Sequence, residues 1–131
     1  MERNGGMREW KIDELITEIH NTLYRLGVKA TMSGFFETSC AVFLVMQKIN
    51  RSWFSIMSVY QRISELYHID IDVIDPRIRY VIVRIWKRNP ELLSMMAGER
   101  LEKRPTPREF INILCDYLST APVEEDRRRE P

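Results

Sequence analysis

Cysteine, glycine and any excess of one charge are all scarce in this chain, and each scarcity removes a class of protein. Its 131 residues hold two cysteines. Cys40 and Cys115 stand far apart inside apolar stretches, so there is neither a disulfide framework nor zinc-ligand spacing, and both read as reduced core residues acting as small hydrophobes. Five glycines and six prolines leave no low-complexity segment, and no internal repeat is present. A formal net charge of +1 excludes strong global attraction to nucleic acid or to an anionic membrane, so any electrostatic function must arise from local clustering. No uncharged apolar run approaches the ~20 residues needed to span a bilayer, and the N-terminus is polar. The expectation is a cytoplasmic protein with no membrane partner.

Catalytic and metal-binding patterns are missing as well. Ser33, Ser39 and Ser58 have no elbow or triad context. His20 and His68 are far apart in sequence and read as surface or turn residues. Asp70, Asp72 and Asp75 are followed by neither the glycine nor the terminal glutamate of a calcium loop. The chain is therefore expected to have no catalytic residue, metal or cofactor, and not to be an enzyme.

What is present is helical periodicity. Residues 8–26 place Ile12, Leu15, Ile16, Ile19, Leu23 and Leu26 on one stripe, closed by Gly27 at the C′ position. Residues 34–49, with Phe36, Cys40, Phe43, Leu44 and Met46 and few charges, predict a central buried helix. Ser52 is a candidate cap for a helix from Trp53 to Tyr67 carrying Ile56, Val59, Tyr60, Ile63 and Leu66. The adjacent aromatics Trp53 and Phe54 are a candidate dimer contact. After a break at residues 68–72, where Asp70 and Asp72 are both good turn and N-cap residues, a further helix holds Ile74, Ile78, Val81, Ile82 and Ile85 on one face and stops at Asn89-Pro90. A short helix over 91–97 closes at Gly98. Thr106-Pro107-Arg108-Glu109 then reads as cap, N1 proline and N3 acid for a final helix burying Phe110, Ile111, Leu114, Cys115 and Leu118. The prediction is an all-α fold: a compact six- or seven-helix domain over residues 8–120, with residues 1–7 and 121–131 as flexible tails.

Residues 60–79 have the layout of a helix-turn-helix, with Ile63 and Tyr67 inward, small Ser64 at the close approach, His68 at the turn, and Ile69 and Ile74 filling the corner. Between Pro76 and Arg88 stand five basic residues and no acid. On helical spacing Arg77, Tyr80, Arg84, Lys87 and Arg88 share the face opposite the isoleucines, a basic surface punctuated by an aromatic. The helix over about 72–88 is the expected recognition helix. This reading requires that its arginines stand clear of the chain's own acids.

The pieces Ile16-Thr17, Leu26-Gly27-Val28-Lys29-Ala30, Gly34-Phe35, Val59-Tyr60, Ile63-Ser64, Ile78-Arg79, Ile82 and Trp86 carry a resemblance. So do Arg104-Pro105-Thr106, Glu109-Phe110-Ile111 and Asp116-Tyr117-Leu118. In this order and spacing the chain resembles the C-terminal DNA-binding effector domain of the master sporulation response regulator of endospore-forming bacteria. The resemblance implies a six-helix transcription factor domain that reads a short box of double-stranded DNA, often as a tandem or symmetric homodimer. It departs from the family in two places. Only a few residues precede the first helix, which leaves no room for the usual phosphorylatable receiver domain. The family's acidic–arginine reading pair falls on Asp75-Pro76, where proline offers guanine no donor. Asp75 is then either an N-cap with Pro76 at N1, or Asp72 caps and the proline lies in the first turn.

The expected base-reading set is Asp75, Arg77, Arg79 and Tyr80, and the expected phosphate set is Arg51, Arg62, Arg84, Lys87 and Arg88. The competing reading is a protein-interaction module of the same fold, binding RNA polymerase, a sigma factor or a related regulator. Asp75-Pro76 and the near-neutral charge favour it.

Overall fold

A computed structural model describes residues 10–48 and 54–120. Its described residues form six helices and no strand: α1 Ile12–Arg25, α2 Phe35–Met46, α3 Ile56–Tyr67, α4 Ile71–Arg88, α5 Pro90–Ala97 and α6 Pro107–Thr120. The fold is all-α, as the periodicity implies. No helix among these residues is long and apolar enough to cross a membrane. Arg51, Ser52, Trp53 and both terminal segments lie outside the described residues.

Helix α2 packs against α1, α3, α4 and α6. Its sequence explains the central position, since Glu37 is its one charge and Ala41, Val42 and Val45 are fully buried. The core closes around it with Ile19 and Leu23, Ile63, Ile74 to Ile85 on one face, Leu93, and Phe110 to Leu118. Cys40 and Cys115 are both buried thiols. Burial of the Cys40 thiol pushes its pKa up to about 11, so it stays protonated and behaves as a small hydrophobe.

Local signals end the helices where the sequence places them. Beyond α1, the amides of Gly27 and Val28 return to the carbonyls of Tyr24 and Leu23 at 2.9 Å each, the paired bonds of a Schellman turn with glycine at φ 95°. Before α6, the Glu109 amide donates to Thr106 Oγ1 at 3.2 Å and the Thr106 amide to Glu109 Oε1 at 2.9 Å, a complete capping box. Asn89 divides α4 from α5, and its Nδ2 donates to the Leu26 carbonyl at 2.8 Å. That bond ties the end of α4 to the end of α1.

Three expectations need correction. Helix α3 starts at Ile56, and its cap is Ser55, whose hydroxyl accepts from the Ser58 amide. Phe54 is no dimer contact: it is buried, with the Arg108 guanidinium 4.9 Å above its ring and Arg108 Nε donating to its carbonyl. Filling the core thus takes Phe54 out of the helix. The apolar stripes are also wider than the contacts they make. Ile12 and Ile16 on α1 are exposed, and so are Phe36, Leu66 and Tyr67. Phe36 and Tyr67 cover each other edge-on at 4.9 Å.

Candidate nucleic-acid interface

Helices α3 and α4 meet at a three-residue corner. His68 takes the left-handed conformation, φ 56° and ψ 45°, and caps α3, as its place in the sequence predicts. Ser64 Oγ donates to the Ile69 carbonyl at 2.6 Å, which uses the small side chain to lock the turn. Asp70 then caps α4 by accepting from the Asp72 amide at 2.9 Å. Neither Asp75 nor Asp72 is the cap. Helix α4 begins at Ile71 because Asp70 reaches the amide two residues on. Pro76 consequently stands inside the helix, where its ring excludes the amide bond to the Asp72 carbonyl.

The inner face of α4 is Ile74, Ile78, Val81, Ile82 and Ile85, all buried. At 3.6 residues per turn, the strip directly opposite is Asp72, Pro76, Tyr80, Val83 and Lys87. All are exposed except the half-buried Val83. Arg77, Arg84 and Arg88 fall on one flank, Asp75 and Arg79 on the other. Arg77 therefore does not share the outermost face with Tyr80.

Each flank engages a neighbouring helix. Arg77 Nη1 donates to Glu37 Oε2 of α2 at 2.7 Å, and the carboxylate side chain is only 5% exposed. Arg79 Nε donates to Asp75 Oδ2 at 2.6 Å, while Tyr60 Oη of α3 donates to Asp75 Oδ1 at 2.5 Å. The expectation that the arginines of this helix stand clear of the chain's own acids is corrected for these two. Even so, the Arg77 and Arg79 side chains remain 43% and 58% exposed. Among the described residues no ion pair holds Arg84, Lys87 or Arg88, and Arg84 Nε is buried without a hydrogen-bond partner. Arg62 of α3 makes only a loose 3.9 Å pair with Glu65, which contributes little at such exposure. Arg51 lies outside the described residues.

Burial at Asp75 acts to raise its pKa, but the bonds from Tyr60 and Arg79 and the guanidinium charge outweigh it, and the carboxyl falls below its ordinary 3.8. Burial, with the carboxylate beside it, pushes the Tyr60 phenol well up, so it remains a donor. A depressed folded-state pKa contributes stability that is complete above the unfolded value and is lost as pH falls through the folded one. Asp75→Asn should therefore lower the melting temperature at neutral pH, and its difference from the wild type should shrink below about pH 4. Thermal denaturation across pH checks this, and a constant difference at all pH would refute the assignment.

Sequence reasoning did not find Glu37 or the contact made by Gly34. Gly34 stands at φ 95°, and a Cβ there would overlap the Arg77 carbonyl oxygen and lie 2.8 Å from Val81 Cγ2. This close approach presses the start of α2 onto α4. One signal was available: a lone acid on an otherwise apolar helix is buried only when a base reaches it.

The fold and the exposed second helix of the corner define a helix-turn-helix domain of the kind found in transcription regulators. The family model for the sporulation initiation factor Spo0A C terminal matches residues 19–118, and the chain belongs to that family. It is a family of DNA-binding effector domains in sporulation control, not of enzymes.

Proposed function

We propose that this chain recognises duplex DNA sequence-selectively, with α4 laid along the major groove. The observation that supports this most is the α3–α4 corner itself, which holds α4 by its isoleucine face and leaves Tyr80, Arg79, Lys87 and Arg88 exposed. Asp75, Arg77, Arg79 and Tyr80 stand in its first three turns, where helix-turn-helix proteins contact base edges. Arg84, Lys87 and Arg88 at its end and Arg62 on α3 suit phosphates, and Arg51 joins them on sequence alone. With Pro76 in place of an arginine, guanine reading passes to Arg77 and Arg79. A twofold or tandem pair of copies would read two half-sites.

Selection of bound sequences from a random duplex pool, followed by gel shifts, tests the reading. Arg79→Ala should weaken the preferred site more than random DNA, by roughly tenfold for one lost bidentate contact. Arg84→Ala should weaken both alike and reduce the salt slope by about 0.9. Unchanged duplex affinity in both variants would refute the role of α4.

A second reading is favoured by the outward strip of α4. Of its residues only Lys87 carries a positive charge, and Arg77 and Arg79 on the flanks are paired within the chain. Such a surface suits a protein partner such as RNA polymerase or a sigma factor. The absence of any retarded duplex at low salt, with one of these partners bound by purified protein, would establish it.

A further inference from the structure

We propose that Glu37, on α2 and outside the helix-turn-helix, is a positioning residue that sets the base preference of α4 by holding Arg77. The inference rests on the DNA-binding reading above. Glu37 is the only charged residue of α2, and its carboxylate is buried. Burying a lone carboxylate is costly unless a charge-assisted bond compensates it, and Arg77 Nη1 at 2.7 Å is that bond. The backbone at Arg77 is set by the same helix, since Gly34, one turn before Glu37, lies against the Arg77 carbonyl. Both the root and the tip of Arg77 are thereby fixed by α2.

The bond to Glu37 uses one terminal nitrogen. The edge formed by Nε and the second terminal nitrogen makes no hydrogen bond among the described residues. Arg77 itself lines a shallow groove together with Ser33, Asp72, Val73, Pro76 and Tyr80. An arginine whose remaining donor pair is held in one orientation is pre-organised for bidentate recognition of guanine O6 and N7. The pair is also neutral as a unit, so Arg77 adds little to counterion release while Glu37 is ionised. Glu37 thus turns a mobile surface cation into an oriented donor with little non-specific attraction.

Glu37→Gln keeps the shape and removes the charge. The full chain and its Glu37→Gln, Arg77→Ala and double variants would be compared on the selected duplex, on duplexes altered one base pair at a time, and on random duplex across a salt series. For Glu37→Gln, discrimination at one base pair should fall about tenfold. Random-duplex affinity should rise, and the salt slope should steepen by about 0.9 as Arg77 becomes free for a phosphate. In the Arg77→Ala background the same change should alter none of these quantities. A purely structural role would lower binding to every duplex in parallel with thermal stability, and would persist without Arg77; either result overturns the proposal. Should Glu37→Gln fail to fold, Arg77→Lys keeps a cation for Glu37 but has no bidentate edge. It should lose the same discrimination, and retained discrimination overturns the proposal. Failure of the wild-type chain to prefer any sequence refutes the DNA reading itself, a result separable from a wild type that discriminates and a Glu37→Gln that does so equally.

Discussion

Gly34→Ala is expected to lower the melting temperature by roughly 10–20 °C. Two costs add. A left-handed backbone costs a residue with a Cβ about 1–2 kcal/mol. The new methyl also overlaps the Arg77 carbonyl oxygen and crowds Val81, and overpacking of this kind costs about 1–3 kcal/mol. In a domain of this size each kcal/mol moves the midpoint by about 4 °C. Gly98→Ala separates the terms, because Gly98 is also left-handed at φ 78° but an added Cβ meets nothing within 4 Å. Thermal denaturation of both variants checks the argument, and equal losses would refute the steric part. Since the obstructing oxygen belongs to α4, any Gly34→Ala protein that folds should also bind DNA less well.

Replacing Arg84, Lys87 and Arg88 together with alanine should weaken duplex binding roughly a hundredfold near ~0.15 M salt. Each phosphate contact contributes a slope of about 0.9 in the logarithm of affinity against salt. At that salt one contact is worth roughly fivefold, and three multiply. The loss should be shared by preferred and random sequences, since phosphates carry no base identity. Lys87 and Arg88 also stand in the last turn of α4, where cations stabilise a helix by about 0.3–1 kcal/mol each. The circular dichroism of the triple variant must therefore be matched to the wild type before affinities are compared. Undiminished binding by a folded triple variant would remove α4's basic end from the interface.

Much of this architecture was legible because its signals are local. Gly27 and the Thr106–Glu109 box mark helix ends by chemistry confined to a few residues, and His68 marks the corner for the same reason. The errors arise where distant residues decide. Ser52 and Ser55 are equally good caps in isolation, and the choice between them is made by Phe54, which packs beneath Arg108 of α6. Tyr67 carries the right spacing for an inward residue, yet it lies on the surface against Phe36. For the site, the sequence marks α4 as basic but not which cations are committed. Arg79 pairs with Asp75 at a spacing of four, which helical geometry anticipates. Arg77 pairs with Glu37 forty positions away, which no periodicity reveals. The start of α4 at Ile71 agrees with the expected start near residue 72, and of the acids the sequence offers as caps the structure uses Asp70, with Pro76 left inside the helix.

Pro76 has one more effect on whatever α4 meets. With no amide at that position, the Asp72 carbonyl, on the outward strip, lacks its usual helical donor four residues on. A surface pressed against it must bring a hydrogen or trap a water there, or else lose a bond that solvent had supplied. Phosphate groups, which only accept, cannot meet that demand, whereas the exocyclic amines of cytosine and adenine can. If α4 enters a DNA groove as proposed, its leading turns would on this account suit the groove's floor better than its walls.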